Sequence, residues 1–259
     1  DVSEIGFGAW GIGGLSKGAT SYGEICQKTA LSTLERAYER GINFFDTSNI
    51  YGHGESERRI GHALSRYRDN VIISTKLGLL DYSKKLPLER NSIIKSVEGS
   101  LRRLNTSYID VIHLHEVKVD QLQNNSELQE TLNWLVEHQY VRTISISLKS
   151  PNEALQEFVK NSFPSIQVNF SALDMRILDT GFFEKNHGEQ GVVARTPLCF
   201  GFLAENFDKN VSFDAQDHRS QWSKQHLEHW ICGANLILSE LGLKDKNKIK
   251  ERVGLSLRF

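Results

Sequence analysis

FFDTSNIYGHGESE, residues 44–57, reads as a strand that runs into a carboxylate and then into a glycine-rich turn. Phe44 and Phe45 are residues that suit a pleated, half-buried surface, and Asp46 closes the run. Tyr51 follows five residues later, ahead of Gly52 and of a charged helix start at Glu55-Ser56-Glu57. A strand that ends on a titratable group, with a phenol just beyond it, fits a parallel α/β sheet. In such sheets the chemistry collects at the carboxyl ends of the strands.

Outward from this stretch the pattern repeats. Short apolar runs place strands at residues 4–9, 42–46, 71–76, 109–115, 142–147, 165–169 and 192–196. Between them, apolar residues recur at three- and four-residue spacing. Ala30, Leu31, Leu34 and Ala37 make one face of a helix over residues 25–40, with Gly41 as its stop, and Ile93, Val97, Leu101 and Leu104 make another. Ser150-Pro151-Asn152-Glu153 has the form of a capping box with proline at the first helical position. Strands alternating with crossover helices give a parallel sheet, either open and doubly wound or closed. The open form announces itself by GxGxxG after its first strand, and Gly11-Ile12-Gly13-Gly14 lacks both that spacing and the following helix.

The expected fold is therefore a (β/α)8 barrel of the TIM type, with seven of its eight strands identifiable and residues 1–259 in a single domain. Seven strands leave two open edges, which water-soluble proteins avoid. The opening at Asp1 and the close at Leu255–Phe259 within a helical pattern accordingly suggest a barrel trimmed at both ends. A net charge of −1 supplies no basic field for nucleic acid or a membrane surface, and no apolar run reaches a membrane span. Cys26, Cys199 and Cys232 form no CxxC or zinc pattern and read as reduced thiols of a cytoplasmic protein.

The strand ends carry Asp46, Lys76, His115, Ser147, Gln167 to Asn169, and Arg195. A strand-terminal Asp by itself most often caps a turn, and a lone histidine is most often a core residue. Three titratable groups at equivalent places in consecutive strands are a different matter. A phenol needs help to donate a proton at neutral pH, and a neighbouring ammonium favours its phenolate. A carboxylate paired with that ammonium keeps it charged, and a neutral histidine can donate to a carbonyl oxygen. That set protonates an alkoxide as it forms. The hydride it needs comes from no side chain, so a nicotinamide cofactor is implied. His113 and His115 share a strand face, and His-x-His also opens metal-dependent hydrolase sites. The later strand ends supply Ser147, Asn169 and Arg195 in place of further ligands, so no metal is expected.

The chain resembles the aldo-keto reductase family over nearly its whole length. The motifs occur in order: Ile5-Gly6-Phe7-Gly8-Ala9-Trp10, Gly41 to Thr47 with Tyr51-Gly52, Ser74-Thr75-Lys76, Leu101 to Leu104 with Tyr108 to His115, Gln167-Val168-Asn169, and Arg195 to Leu198 with Gly201. The resemblance implies an NAD(P)H-dependent reductase of an aldehyde, ketone or sugar-like carbonyl, with Asp46, Tyr51, Lys76 and His115 as the catalytic set and Tyr51 as general acid. It also implies cofactor contacts at Gly8, Ala9, Trp10, Asp46, Ser147, Gln167, Arg195, Thr196, Pro197, Leu198, Gly201 and Leu203, with NADP(H) favoured over NAD(H). Trp10, His53 and Tyr82 are the candidate substrate-pocket residues. Leu148 stands where the family commonly has asparagine, and Glu205-Asn206-Phe207 where a basic residue often follows. Each departure removes a contact of about 1 kcal/mol. They leave a second expectation open, a cofactor-binding or regulatory protein of the same fold with little turnover.

Overall fold

A computed structural model describes residues 1–245 and 247–259. Seven parallel strands pair in chain order to form a nearly closed barrel. They are β1 (Phe7–Gly8), β2 (Phe44–Asp46), β3 (Ile72–Leu77), β4 (Ile109–His115), β5 (Val141–Ser147), β6 (Ser165–Asn169) and β7 (Gly191–Arg195). Helices α1 (Gln27–Glu39), α2 (Glu55–Leu64), α3 (Arg90–Leu104), α4 (Val119–Gln123), α5 (Ser126–Glu137) and α6 (Glu157–Ser162) lie in the connections up to β6. Two short helices, α7 (Arg176–Asp179) and α8 (Phe182–Asn186), precede β7. After β7 come α9 (Lys224–Glu240) and α10 (Ile249–Arg258).

The periodic residues face inward as their spacing requires. Ala30 and Leu34 of α1 and Ile93, Val97, Leu101 and Leu104 of α3 are buried in one continuous core around the strands. Gly41 closes α1 at φ 90°, a conformation open to glycine, and its N–H returns to the Tyr38 carbonyl. Two expectations are corrected. The first strand is two residues long instead of spanning 4–9, although Ala9 N–H continues the ladder onto Asp46 O at 2.8 Å. The capping box at Ser150 forms, but it heads a 3-10 turn, Pro151–Leu155, and α6 starts afresh at Glu157.

Among the described residues no ladder joins β1 to β7, so these are the edges of the sheet. Above them the chain after β7 crosses to the loop after β1. Asp217 bridges to Ser21, His218 N–H donates to Ser21 O at 2.7 Å, and Gln221 Nε2 donates to Gly18 O at 2.7 Å. A second apolar cluster packs this segment: Cys199, Phe202 and Leu203 against Ile231 and Ala234 of α9. No described helix is long and apolar enough to cross a membrane.

Candidate active site

Register decides which strand ends meet. Asp46 pairs with Ser74, Lys76 with His113, and His115 with Ser147, which pairs in turn with Gln167. Side chains two residues apart on a strand share a face, so Ser74 and Lys76 both reach toward Asp46. Lys76 Nζ donates to Asp46 Oδ2 at 2.6 Å and to Thr47 O at 2.8 Å. Ser74 Oγ donates to Asp46 Oδ1 at 2.9 Å, and Gln167 Nε2 donates to the same oxygen at 3.1 Å. The carboxylate at the end of β2 thus joins three strands, its own, β3 and β6.

Burial opposes the charge on both partners, but each holds the other ionised. The Lys76 ammonium, with the bonds from Lys76 and Ser74, keeps the Asp46 carboxyl below the usual carboxylate range. Asp46 and the Tyr51 phenol keep Lys76 above the ordinary lysine value. The Lys76 ammonium also sits 5.0 Å from the centre of the Tyr51 ring.

His113 is fully buried, and its Nδ1 lies 2.9 Å from Ser74 Oγ. The one hydroxyl proton of Ser74 is committed to the carboxylate, so the hydroxyl must accept from His113 Nδ1–H. Its Nε2 is then a bare lone pair, buried and unpartnered. Burial pushes the imidazoles of His113 and His115 down to about 4, with Lys76 and Arg195 adding to the effect, so both are neutral at pH 7. His115 Nδ1 is also buried without a partner.

Beyond β5 the site becomes polar. Ser147 Oγ donates to Gln167 Oε1 at 3.3 Å and accepts from Arg195 Nη1 at 3.0 Å. Arg195 further donates from Nε to Asn169 Oδ1 at 2.6 Å and from Nη2 to Leu148 O at 3.0 Å. One lone pair of Ser147 Oγ and one N–H of Gln167 Nε2 are left over. An acceptor and a donor side by side suit a primary carboxamide such as that of nicotinamide. Gly8, at the end of β1, has nothing within 4 Å of where a Cβ would stand. These residues fit the ring end of the implied cofactor.

The remaining sequence candidates fall in three places. Trp10 packs on Tyr51, with ring centres 6.2 Å apart, and anchors its indole N–H on Thr20 O at 3.1 Å. Ala9 is buried and its carbonyl takes the Ser56 hydroxyl. Tyr82 lies at the rim, 39% exposed. Thr196 turns at φ 57° into the sharp bend that carries Pro197, Leu198 and Gly201, while Leu203 is buried in the second cluster. His53 faces an open cleft of about 440 Å3 lined by Leu15, Lys17, Ala19 and Gln216, and its Nε2 accepts from Lys17 N–H at 3.1 Å. Among the described residues no group of three His, Cys, Asp or Glu side chains could hold a metal ion.

Sequence reasoning missed two features. Ser74, two residues before Lys76, was detectable from strand periodicity alone. Tyr22, Phe200 and His218, which surround Trp10 at 5.0, 6.4 and 4.7 Å, come from two connections, the one after β1 and the one after β7, and carry no periodic signal.

A family model described as the aldo/keto reductase family matches residues 4–253. The chain is 28% identical over 242 residues to the aldo-keto reductase YhdN of Bacillus subtilis, covering 91% of this chain and 71% of that protein. Among solved structures, the holo form of aldo-keto reductase AKR11C1 from Bacillus halodurans superposes with a TM-score of 0.67 at 30% identity, over 83% of this chain and 69% of that one. The glycerol dehydrogenase AKR11B4 from Gluconobacter oxydans superposes with a TM-score of 0.74 at 25% identity, over 99% and 80%. The chain spans 59 to 71% of the length of four of the curated relatives it matches.

Proposed function

The chain belongs to the aldo/keto reductase family, and from that premise we propose that it is the barrel of an NAD(P)H-dependent reductase acting on an aldehyde, ketone or sugar-like carbonyl. The observation that carries this reading is the buried Lys76–Asp46 pair beneath the Tyr51 ring, with neutral His115 on the next strand.

Each residue has a task set by its surroundings. Tyr51 donates the proton to the carbonyl oxygen as negative charge builds there. The Lys76 ammonium meets the charge left on the phenol oxygen, and Asp46 keeps that ammonium charged and aimed. His115, held neutral by burial, can donate one N–H to the same carbonyl oxygen. Ser147 and Gln167 would hold the carboxamide of the cofactor. A reduced nicotinamide, when bound, supplies the hydride. We assign NADP(H) ahead of NAD(H) by family resemblance, and Trp10 and Tyr82 to the substrate wall.

The test is consumption of NADPH and of NADH by the full-length protein over a panel of aldehydes, ketones and sugars, beside Tyr51→Phe. Carbonyl-dependent turnover that falls about a hundredfold or more in the variant, with cofactor affinity retained, supports the reading. Turnover unchanged in Tyr51→Phe removes Tyr51 from the mechanism. Tight cofactor binding without turnover on any carbonyl favours a cofactor-binding role instead.

A further inference from the structure

Arg195 is a cation without an anion. All three of its hydrogen bonds go to neutral oxygens, those of Asn169, Ser147 and Leu148. The carboxylates near enough to act on it are each held by another cation: Asp46 by Lys76, Glu116 by Lys149 and Asp174 by Arg176. Both nearby imidazoles are neutral. The charges around the end of β7 therefore leave one positive charge uncompensated, and it is Arg195.

That charge shares Ser147 with the cofactor site, since Arg195 Nη1 is 3.0 Å from the hydroxyl that has one lone pair left for a carboxamide. A ring held by this hydroxyl must lie within several ångströms of the guanidinium. The nicotinamide ring is neutral when reduced and carries a full positive charge when oxidised. We propose that Arg195 makes the site discriminate between the two redox forms, repelling the oxidised ring and so binding NAD(P)H more tightly than NAD(P)+. This rests on the reading that Ser147 and Gln167 hold a nicotinamide.

The consequence for turnover is directional. Positive charge grows on the ring during transfer, so Arg195 opposes that step. Once transfer is complete, the same repulsion expels the oxidised cofactor, and cofactor release is a frequent limit on turnover. The adenosine, pyrophosphate and any 2′-phosphate are common to both forms. The ratio of the two dissociation constants therefore isolates the ring.

The experiment is a fluorescence or calorimetric titration of the full-length protein with NADPH, NADP+, NADH and NAD+. Two like charges several ångströms apart at a partly buried site correspond to about tenfold or more in affinity. The wild-type protein should bind the reduced member of the better-bound pair tighter by about that factor. Arg195→Met should narrow the ratio about tenfold by tightening the oxidised form, and Arg195→Lys, which keeps the charge, should retain the wild-type ratio. A wild-type ratio near one overturns the proposal whether or not the methionine variant folds, as does a ratio unchanged in a folded Arg195→Met. Failure to bind any of the four nucleotides overturns the nicotinamide reading as well. Binding with an indifferent ratio overturns the discrimination alone.

Discussion

Asp46→Asn is the sharpest probe of the network at the barrel mouth. The carboxylate accepts from Lys76, Ser74 and Gln167. Asparagine keeps the shape but removes the charge, and Lys76 is then left with Thr47 O and the Tyr51 hydroxyl and with no carboxylate. The Lys76 side chain is 2% exposed, so water cannot substitute for the missing anion. Removing one partner of a buried pair costs about 3–5 kcal/mol. The 17% exposure of the Asp46 side chain places the cost at the low end, about 3 kcal/mol. For a domain of this size that is a fall in Tm of roughly 6–12 °C. Urea unfolding of Asp46→Asn, Lys76→Met and the double variant gives the coupling. The double variant should be more stable than the sum of the two single losses allows, because it removes the stranded ammonium with its partner. A cost below about 1 kcal/mol, or strictly additive variants, would refute the claim that this pair is buried and mutually dependent.

Three further expectations follow from other parts of the barrel. His113 titrates at about 4 when folded against 6.5 when unfolded, so the unfolded chain takes up protons first as pH falls. Its stability contribution is complete above pH 6.5 and drops by about 2 kcal/mol by pH 5, and Asp46, depressed when folded, adds a loss only below about pH 4; urea midpoints that do not move between pH 7.5 and 5 would contradict this. Asp110, 3% exposed, accepts from Arg68 at 2.6 Å, Arg142 at 2.9 Å and Ile73 N–H at 2.9 Å. Asp110→Asn should therefore cost about 3 kcal/mol, whereas Arg142→Ala, removing a side chain that is 59% exposed, should cost no more than about 1 kcal/mol; equal midpoints for the two would reject the distinction. Gly78 leaves β3 at φ 136°, with His115 O 2.0 Å from where a Cβ would stand, so Gly78→Ala should cost about 3 kcal/mol or more and displace His115; wild-type stability and activity in that variant would disprove the close approach.

The clustering of the candidate site was largely legible in the sequence because strands have period two and parallel barrels put chemistry at strand ends. Asp46, Lys76 and His115 each close an apolar run, and the structure brings the first two to 2.6 Å. Boundaries were less secure where backbone pairing, not side-chain pattern, sets the limit. Residues 4–9 look like a strand by composition, yet pairing with β2 covers just Phe7 and Gly8, with one further bond from Ala9 N–H to Asp46 O. His53 adjoins Tyr51 in sequence but faces the cleft beside Lys17, because Gly52 and His53 both turn at positive φ.

The sequence by itself determined the alternation of strands and helices, the inward faces of α1 and α3, and the kinds of group available at each strand end. These are local properties, written in spacing and side-chain type. Tertiary structure decided how those groups divide the available bonds. Gln167 reaches Asp46 across 121 residues of chain, Ser74 spans from the carboxylate to His113, and the segment around His218 closes over Trp10. It also decided that Arg195 finds neutral oxygens alone, while every nearby carboxylate is taken by another cation. The physical reason is closure. Wrapping a sheet into a barrel packs strand ends far apart in sequence into one low-dielectric mouth, where charge compensation is a property of the whole set and of no single motif.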